Sequence, residues 1–420
     1  MLLLNRPHGR IFLILFLFLF IPLVFPSLQH SVPFTDPDFP TFYSAAQVTF
    51  RDGRSPFSYE ILTRAGARFG FPGPPPYLYP PPSLLLLYPF AFLSYEAARR
   101  AMLAANQLLT LLFIYIFFFK VMRWKWQEPF LALALVYTLT FHALGETLDH
   151  GQVNLLVLVL IAISWYALKE DRGPLWAALP LSLSIVIKLY PALLLLYLLL
   201  KRKYHVLLWT LALLGAYSLV AGILLPRAVW SDWLTRVVAS GGYGQPTLYL
   251  FSPAAPWNFS LNGFAARLFL PNEYTPVLFP SPAAARIVPY CLAVLLLLAL
   301  VGLGWLARRS PDRDGRIDLE LSLWLATMFM VAPLSWEHHL VFVLPAVLVA
   351  LYRLVYCRGD LGFLALVGLA SLVIGWEAYV HFTTARSGWQ VLLLSRKLYA
   401  VAALWLYCVY ALWRSLPRVP

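Results

Sequence analysis

YLYPPPSLLLLYPFAFL, from Tyr77 to Leu93, is the stretch whose reading sets the topology of everything after it. Its apolar part is about half the roughly 20 residues that a helix needs to cross a bilayer, and Pro89 interrupts it. Taken as an interfacial or re-entrant segment, it leaves the next helix, predicted over 97–119, to run inward and deliver Lys120, Arg123 and Lys125 to the cytoplasm. The later basic clusters then share that side: Lys169 with Arg172, Lys201 to Lys203, Arg308, Arg309, Arg313 and Arg316, Arg353 with Arg358, and Arg414 with Arg418. A crossing at Tyr77–Leu93 would invert all of them, so the charge rule selects the non-crossing reading.

Outward from that stretch, the composition points the same way. Of 420 residues, 61% are hydrophobic and 12% charged, more apolar surface than a soluble core of this length encloses. Lipid is therefore the solvent for most of the chain. The expected fold is an all-α polytopic membrane protein of about twelve transmembrane helices, a single domain over 1–420. The runs lie near 11–26, 97–119, 129–144, 152–168, 174–188, 190–200, 204–225, 286–307, 318–334, 339–357, 361–380 and 397–414. The run 190–200 is short for a span and carries Pro191. A long first external loop, 27–95, bears interfacial helices, and a second covers 226–285. Arg6 and Arg10 precede the first run and no small-x-small cleavage site follows it, so it reads as an uncleaved helix with both chain termini cytoplasmic.

A net charge of +13 that falls in short clusters between apolar runs, without a basic face, reports topology and argues against nucleic acid. The three cysteines, Cys291, Cys357 and Cys408, lie in or at the ends of apolar runs, which fits neither a disulfide framework nor a zinc motif.

The parity that sends basic clusters inward sends the chemically capable residues outward. Asp36 and Asp38 follow the first apolar run; Glu146, Asp149, His150, Gln152 and Asn154 share one loop, and Lys188 ends a helix. Asn258, Asn262 and Arg267 lie in WNFSLNGFAAR, and Glu337, His338 and His339 in SWEHH. Plainer roles stand beside each: a helix cap for Asp38, snorkelling for Lys188, a lipid-phosphate partner for Arg267, interfacial hydrogen bonds for His150, Gln152 and Asn154. Adjacent histidines on a helix point about 100° apart and lack the i, i+4 spacing of a helical metal site, so no metal is expected. Asn258-Phe259-Ser260 also matches the N-glycosylation triplet. Taken together, these groups suit chemistry on a lipid phosphate, with a carboxylate to take a proton from an attacking hydroxyl and cations to neutralise a departing phosphate.

The ordered motifs resemble those of glycosyltransferase family 87, within the membrane-embedded GT-C class. Matching pieces are Asp38-Phe39 with Phe42-Tyr43 and Gly53 to Tyr59, then Tyr79-Pro80-Pro81-Pro82, Gly151-Gln152-Val153-Asn154, Lys188-Leu189-Tyr190-Pro191 and Ser335 to His339. Asn258 to Arg267 resembles a further one, so the likeness runs from about 36 to 345. The resemblance implies a hexose, mannose first, moved with inversion from a polyprenyl phosphate donor to a glycolipid or glycan hydroxyl at the outer face of a bacterial plasma membrane. It implies Asp38 as the base, with Asp36 as the second candidate. Lys188, Arg267, His338 and His339 would hold the donor phosphate. Gln152, Asn154, His150, Asn258, Asn262, Tyr43 and Glu337 would face the sugar or acceptor. No glycine-rich phosphate loop is present, and neither cofactor nor metal is expected. The rival readings are a lipid or solute transporter or flippase, whose charges belong near the bilayer midplane on repeated halves, and a noncatalytic scaffold.

Overall fold

The computed structural model describes residues 38–71, 73–247, 251–307, 315–356, 361–376 and 388–416. The run expected at 11–26, Asp36 and Cys357 lie outside them. Among the described residues every regular element is helical, apart from an isolated bridge between Thr247 and Phe251. The chain groups into two compact units, Met1–Pro191 with His205–Ala239, and Ala192–Tyr204 with Ser240–Pro420.

In the first unit, α1 (Asp38–Phe50) is buried from Phe39 to Thr49. Pro40 falls in its first described turn, where a missing N–H is tolerated. Around α1 pack Phe57, Tyr77, Leu84, Leu87 and Ala91, with Phe42 and Tyr79 rings 5.0 Å apart and Tyr43 edge-on to Phe69 at 4.9 Å. Tyr77–Leu93 is no continuous helix. It forms a 3₁₀ turn at Pro81–Ser83, one α-turn at Leu84–Leu87 and a second 3₁₀ turn at Tyr88–Phe92. At about 2 Å per residue or less, the helical part Pro81–Phe92 is shorter than a ~30 Å hydrocarbon layer.

The helices that follow in this unit are α2 (Tyr95–Ile114), prolonged by a π-turn to Val121, then α3 (Pro129–Leu139) and α4 (His142–Asp149). Between α3 and α4 the axis bends by 43° at Thr140–Phe141, so the run expected at 129–144 is a broken one. Next come α5 (Asn154–Lys169), α6 (Pro174–Ile187) and α7 (Tyr204–Leu224). Two left-handed or extended joints place side chains that matter below. Gly151 opens the GQVN turn in the left-handed region at φ +60°, and Lys188 leaves α6 in extended backbone.

The second unit contains α8 (Leu193–Leu200), α9 (Leu261–Phe269), α10 (Pro282–Ala307), α11 (Arg316–Val331), α12 (Leu344–Tyr356), α13 (Leu361–Gly375) and α14 (Arg396–Ser415). Here α11 is its centre, packed against α10, α12 and α14 and buried on all faces from Arg316 to Met330 save Ile317. Its polar first turns are partnered: Arg316 donates to the Ser415 carbonyl at 2.6 Å, and Glu320 accepts from Lys201 at 2.9 Å.

Among the described residues four helices are long and apolar enough to cross a membrane: Tyr95–Val121, Tyr204–Leu224, Pro282–Ala307 and Trp389–Ser415, with the bent α3–α4 pair as a fifth. The other apolar helices have 10–17 residues. Only 17% of the apolar window of α7 and of α10 is buried, which leaves Leu219, Ile223, Leu295 and Leu298 on outer faces that lipid covers.

Candidate active site

Asp38 begins α1, where the positive end of the helix dipole favours a carboxylate. Its chain neighbour is fixed by a backbone bond, Phe39 N–H to the His150 carbonyl at 3.0 Å. Gly151 permits that approach: a Cβ there would lie 2.9 Å from Phe39 Cβ, and its φ of +60° is one that side chains resist. The next residue, Gln152, donates from Nε2 to Asp38 Oδ2 at 2.7 Å, while its Oε1 accepts from the Tyr79 hydroxyl at 3.1 Å. Burial first, then the charge of Asp38, holds the Tyr79 hydroxyl well above the usual phenol range, so it remains a neutral donor. The Gln152 carbonyl in turn accepts from Asn106 Nδ2 at 2.9 Å. Asp38 is thus a carboxylate aimed by three elements, its side chain 23% exposed.

Lys188 belongs to the same unit. Its Nζ donates to Asn154 Oδ1 at 2.5 Å and lies 5.4 Å from the Tyr79 ring centre and 5.9 Å from that of Tyr190. Aromatic faces therefore flank a buried amine whose pKa burial pushes down to about 7, with the charge of Asp38 acting in the opposite direction. Both ring nitrogens of His150 face carboxylates, Asp38 Oδ2 at 3.6 Å and Glu146 Oε2 at 3.7 Å.

In the second unit, Asn258 fills all four of its amide hydrogen-bond positions. It donates to the Pro253 and Pro333 carbonyls at 3.0 and 3.3 Å and accepts from Ser260 and Ser335 N–H at 3.2 and 3.0 Å. Asn262 donates to Pro333 at 3.0 Å and accepts from Gly244 N–H at 2.8 Å. Arg267, 1% exposed, donates to the Ala255 and Asn258 carbonyls and to Ser395 Oγ at 2.9, 3.0 and 2.8 Å. These residues stitch the WNFSLNG loop to the SWEHH turn, where Phe259 N–H also meets the Ser335 carbonyl at 2.8 Å. Glu337 to Phe342 is one 3₁₀ helix, and His339 Nδ1 accepts from Trp336 N–H at 3.1 Å. The His338 and His339 rings meet edge to face at 4.5 Å, and the Lys397 ammonium pairs with Glu337.

A protein-family model, glycosyltransferase family 87, matches residues 77–333. The chain belongs to glycosyltransferase family 87. It is 30% identical over 383 residues to a polyprenol-phosphate-mannose-dependent alpha-(1-2)-phosphatidylinositol mannoside mannosyltransferase of Mycolicibacterium smegmatis, covering 81% of each chain. A protein of the same name from Mycobacterium tuberculosis is 27% identical over 351 residues, 77% of this chain and 76% of that one. No solved structure matches. The family-87 chain is accordingly a membrane glycosyltransferase, and the transporter and scaffold readings fall away.

Of the residues expected from sequence in this family-87 enzyme, the first unit brings together Asp38, His150, Gln152, Asn154 and Lys188. Tyr43 is placed otherwise, buried with its hydroxyl on the Leu93 carbonyl at 2.9 Å. The second unit brings together Asn258, Asn262, Arg267, Glu337, His338 and His339. The glycosylation triplet is internal, since Asn258 is 0% exposed and its amide nitrogen is engaged. Sequence reasoning missed Asn106, the Tyr79 hydroxyl, His142 and Lys397. Two of these carried a signal: His142, Glu146 and His150 recur every four residues, and Lys397 is an ionisable residue opening an apolar helix.

Proposed function

We propose that this glycosyltransferase moves mannose from a polyprenyl phosphate to a hydroxyl of a glycolipid, with inversion, at the external face of the bacterial plasma membrane. The observation that carries the reading is the aimed pair in the first unit: a carboxylate fixed by Gln152 and Tyr79, and a buried ammonium held by Asn154 between two tyrosine rings. Asp38 takes the acceptor's proton while the acceptor oxygen attacks the anomeric carbon, and Lys188 offsets the charge that grows on the departing phosphate. Gln152 and Asn154 act by orienting these two groups. Asn258, Asn262 and Arg267 act as the frame that fixes the Glu337–His339 turn within the second unit, and no metal takes part. The names of the two relatives favour a phosphatidylinositol mannoside-like acceptor.

The test uses purified protein in lipid nanodiscs with a panel of polyprenyl phosphate sugars (mannose, glucose, arabinose) and a mannosylated glycolipid, with and without chelator. Release of polyprenyl phosphate from the mannose donor, unchanged by chelator, is expected. Asp38→Asn should lower turnover by about 10³-fold or more while leaving insertion and melting unchanged. Retained turnover in that variant removes Asp38 from the mechanism.

A further inference from the structure

His142, Glu146 and His150 lie on α4 and its C-terminal cap, four residues apart, so they fall within about 80° of one another on one helix face. His142 Nε2 is 3.5 Å from Glu146 Oε1, Glu146 Oε2 is 3.7 Å from His150 Nε2, and His150 Nδ1 is 3.6 Å from Asp38 Oδ2. The row therefore ends on the carboxylate assigned above as the base. An imidazole between two carboxylates is an arrangement that stabilises an imidazolium once it forms, and separations of 3.5–3.7 Å are only slightly longer than a hydrogen bond.

We propose that His150 stores the proton that Asp38 removes, that Glu146 is the positioning residue fixing the His150 tautomer, and that His142 holds Glu146. The proposal rests on Asp38 being the base. Neutral His150 carries its proton on Nε2, facing Glu146, and presents the Nδ1 lone pair to Asp38. When the acceptor oxygen forms its bond to the anomeric carbon, its O–H proton passes to Asp38. The bond from that carbon to the phosphate oxygen breaks, and its electron pair leaves with the polyprenyl phosphate. Asp38 then hands the proton to His150 Nδ1, giving an imidazolium between two carboxylates and restoring the ionised base. On product release the Nδ1 proton goes to water.

Kinetics on the nanodisc-embedded enzyme test this. Glu146→Gln, nearly isosteric, should lower kcat about 10- to 100-fold with donor and acceptor KM within about two-fold, because only the proton step loses its support. His150→Ala should lose more, and added imidazole should restore part of its kcat without altering KM. If His150→Ala does not fold, Glu146→Gln and His142→Asn, the latter with a smaller kcat loss, carry the test. Wild-type kcat in Glu146→Gln beside an inactive Asp38→Asn overturns the relay and leaves the base standing. An active Asp38→Asn overturns both. A Glu146→Gln loss confined to KM, or matched by a lower melting temperature, assigns the row a structural role and also overturns the relay.

Discussion

Lys188 is the residue at which fold and chemistry are hardest to separate. It ends α6 in extended backbone two residues before the 3₁₀ turn at Tyr190–Ala192, and this joint turns its amine toward Asn154 and Tyr79. Lys188→Met keeps the length of the stem and removes the charge. Donor kcat/KM should fall about 10- to 100-fold in the nanodisc assay, with most of the change in donor KM. Lys188→Arg should recover little, since a planar fork does not fit a site shaped for a point charge between two rings. Motif order alone placed Lys188, Gln152 and Asp38 in the sequence, because each sits beside a recognisable break. What could not be read there was who holds them: Asn154 is 34 residues from Lys188, and Gln152 is 114 from Asp38. The same limit hid the saturation of Asn258, whose four partners are Pro253 and Ser260 beside it and Pro333 and Ser335 more than 70 residues away.

At the scale of elements, the Glu337–Phe342 turn shows how the second unit fixes its motif. A 3₁₀ turn has poorer hydrogen-bond geometry than an α-helix, so its orientation depends on anchors outside it. One anchor is the Trp336–His339 bond; the other is Lys397, 1% exposed at the start of α14 and paired with Glu337. Lys397→Met leaves the Glu337 carboxylate with a lost partner and should cost about 3–5 kcal/mol, read as a lower denaturation midpoint in detergent. The double variant Glu337→Gln/Lys397→Met should regain much of that, since both charges are then gone. If the double variant is no more stable than Lys397→Met, the pair is not the anchor. Elements were legible where apolar runs were long, as in Tyr204–Leu224 and Pro282–Ala307, and less so where breaks lie inside them. The run expected at 129–144 is two helices because Thr140 ends α3 in non-helical backbone, and the run at 190–200 begins as a 3₁₀ turn over Pro191.

For the whole molecule, the deciding quantity is which loops meet which aqueous phase, and this follows from how Tyr77–Leu93 is built. The helical part of that segment, Pro81–Phe92, is built of three short turns, and the parity we propose from the basic clusters rests on its not crossing. That proposed parity predicts Lys203 in the cytoplasm and Glu273 outside. Both lie in the second unit, flanking helices rather than within them, so cysteine can replace either at little cost in packing. In a background with Cys291, Cys357 and Cys408 changed to alanine, Glu273→Cys should react with a membrane-impermeant maleimide in intact cells. Lys203→Cys should react only after the membrane is permeabilised. Cys291 must be removed because it is exposed on α10, where label carried in through lipid would confuse the reading. The reverse order would mean that Tyr77–Leu93 does cross, and would leave Asp38, which precedes that segment, on the opposite side of the membrane from Lys188, which follows it, so that the two could not share a site; labelling of both positions from outside would instead overturn the assignment of the spans between them.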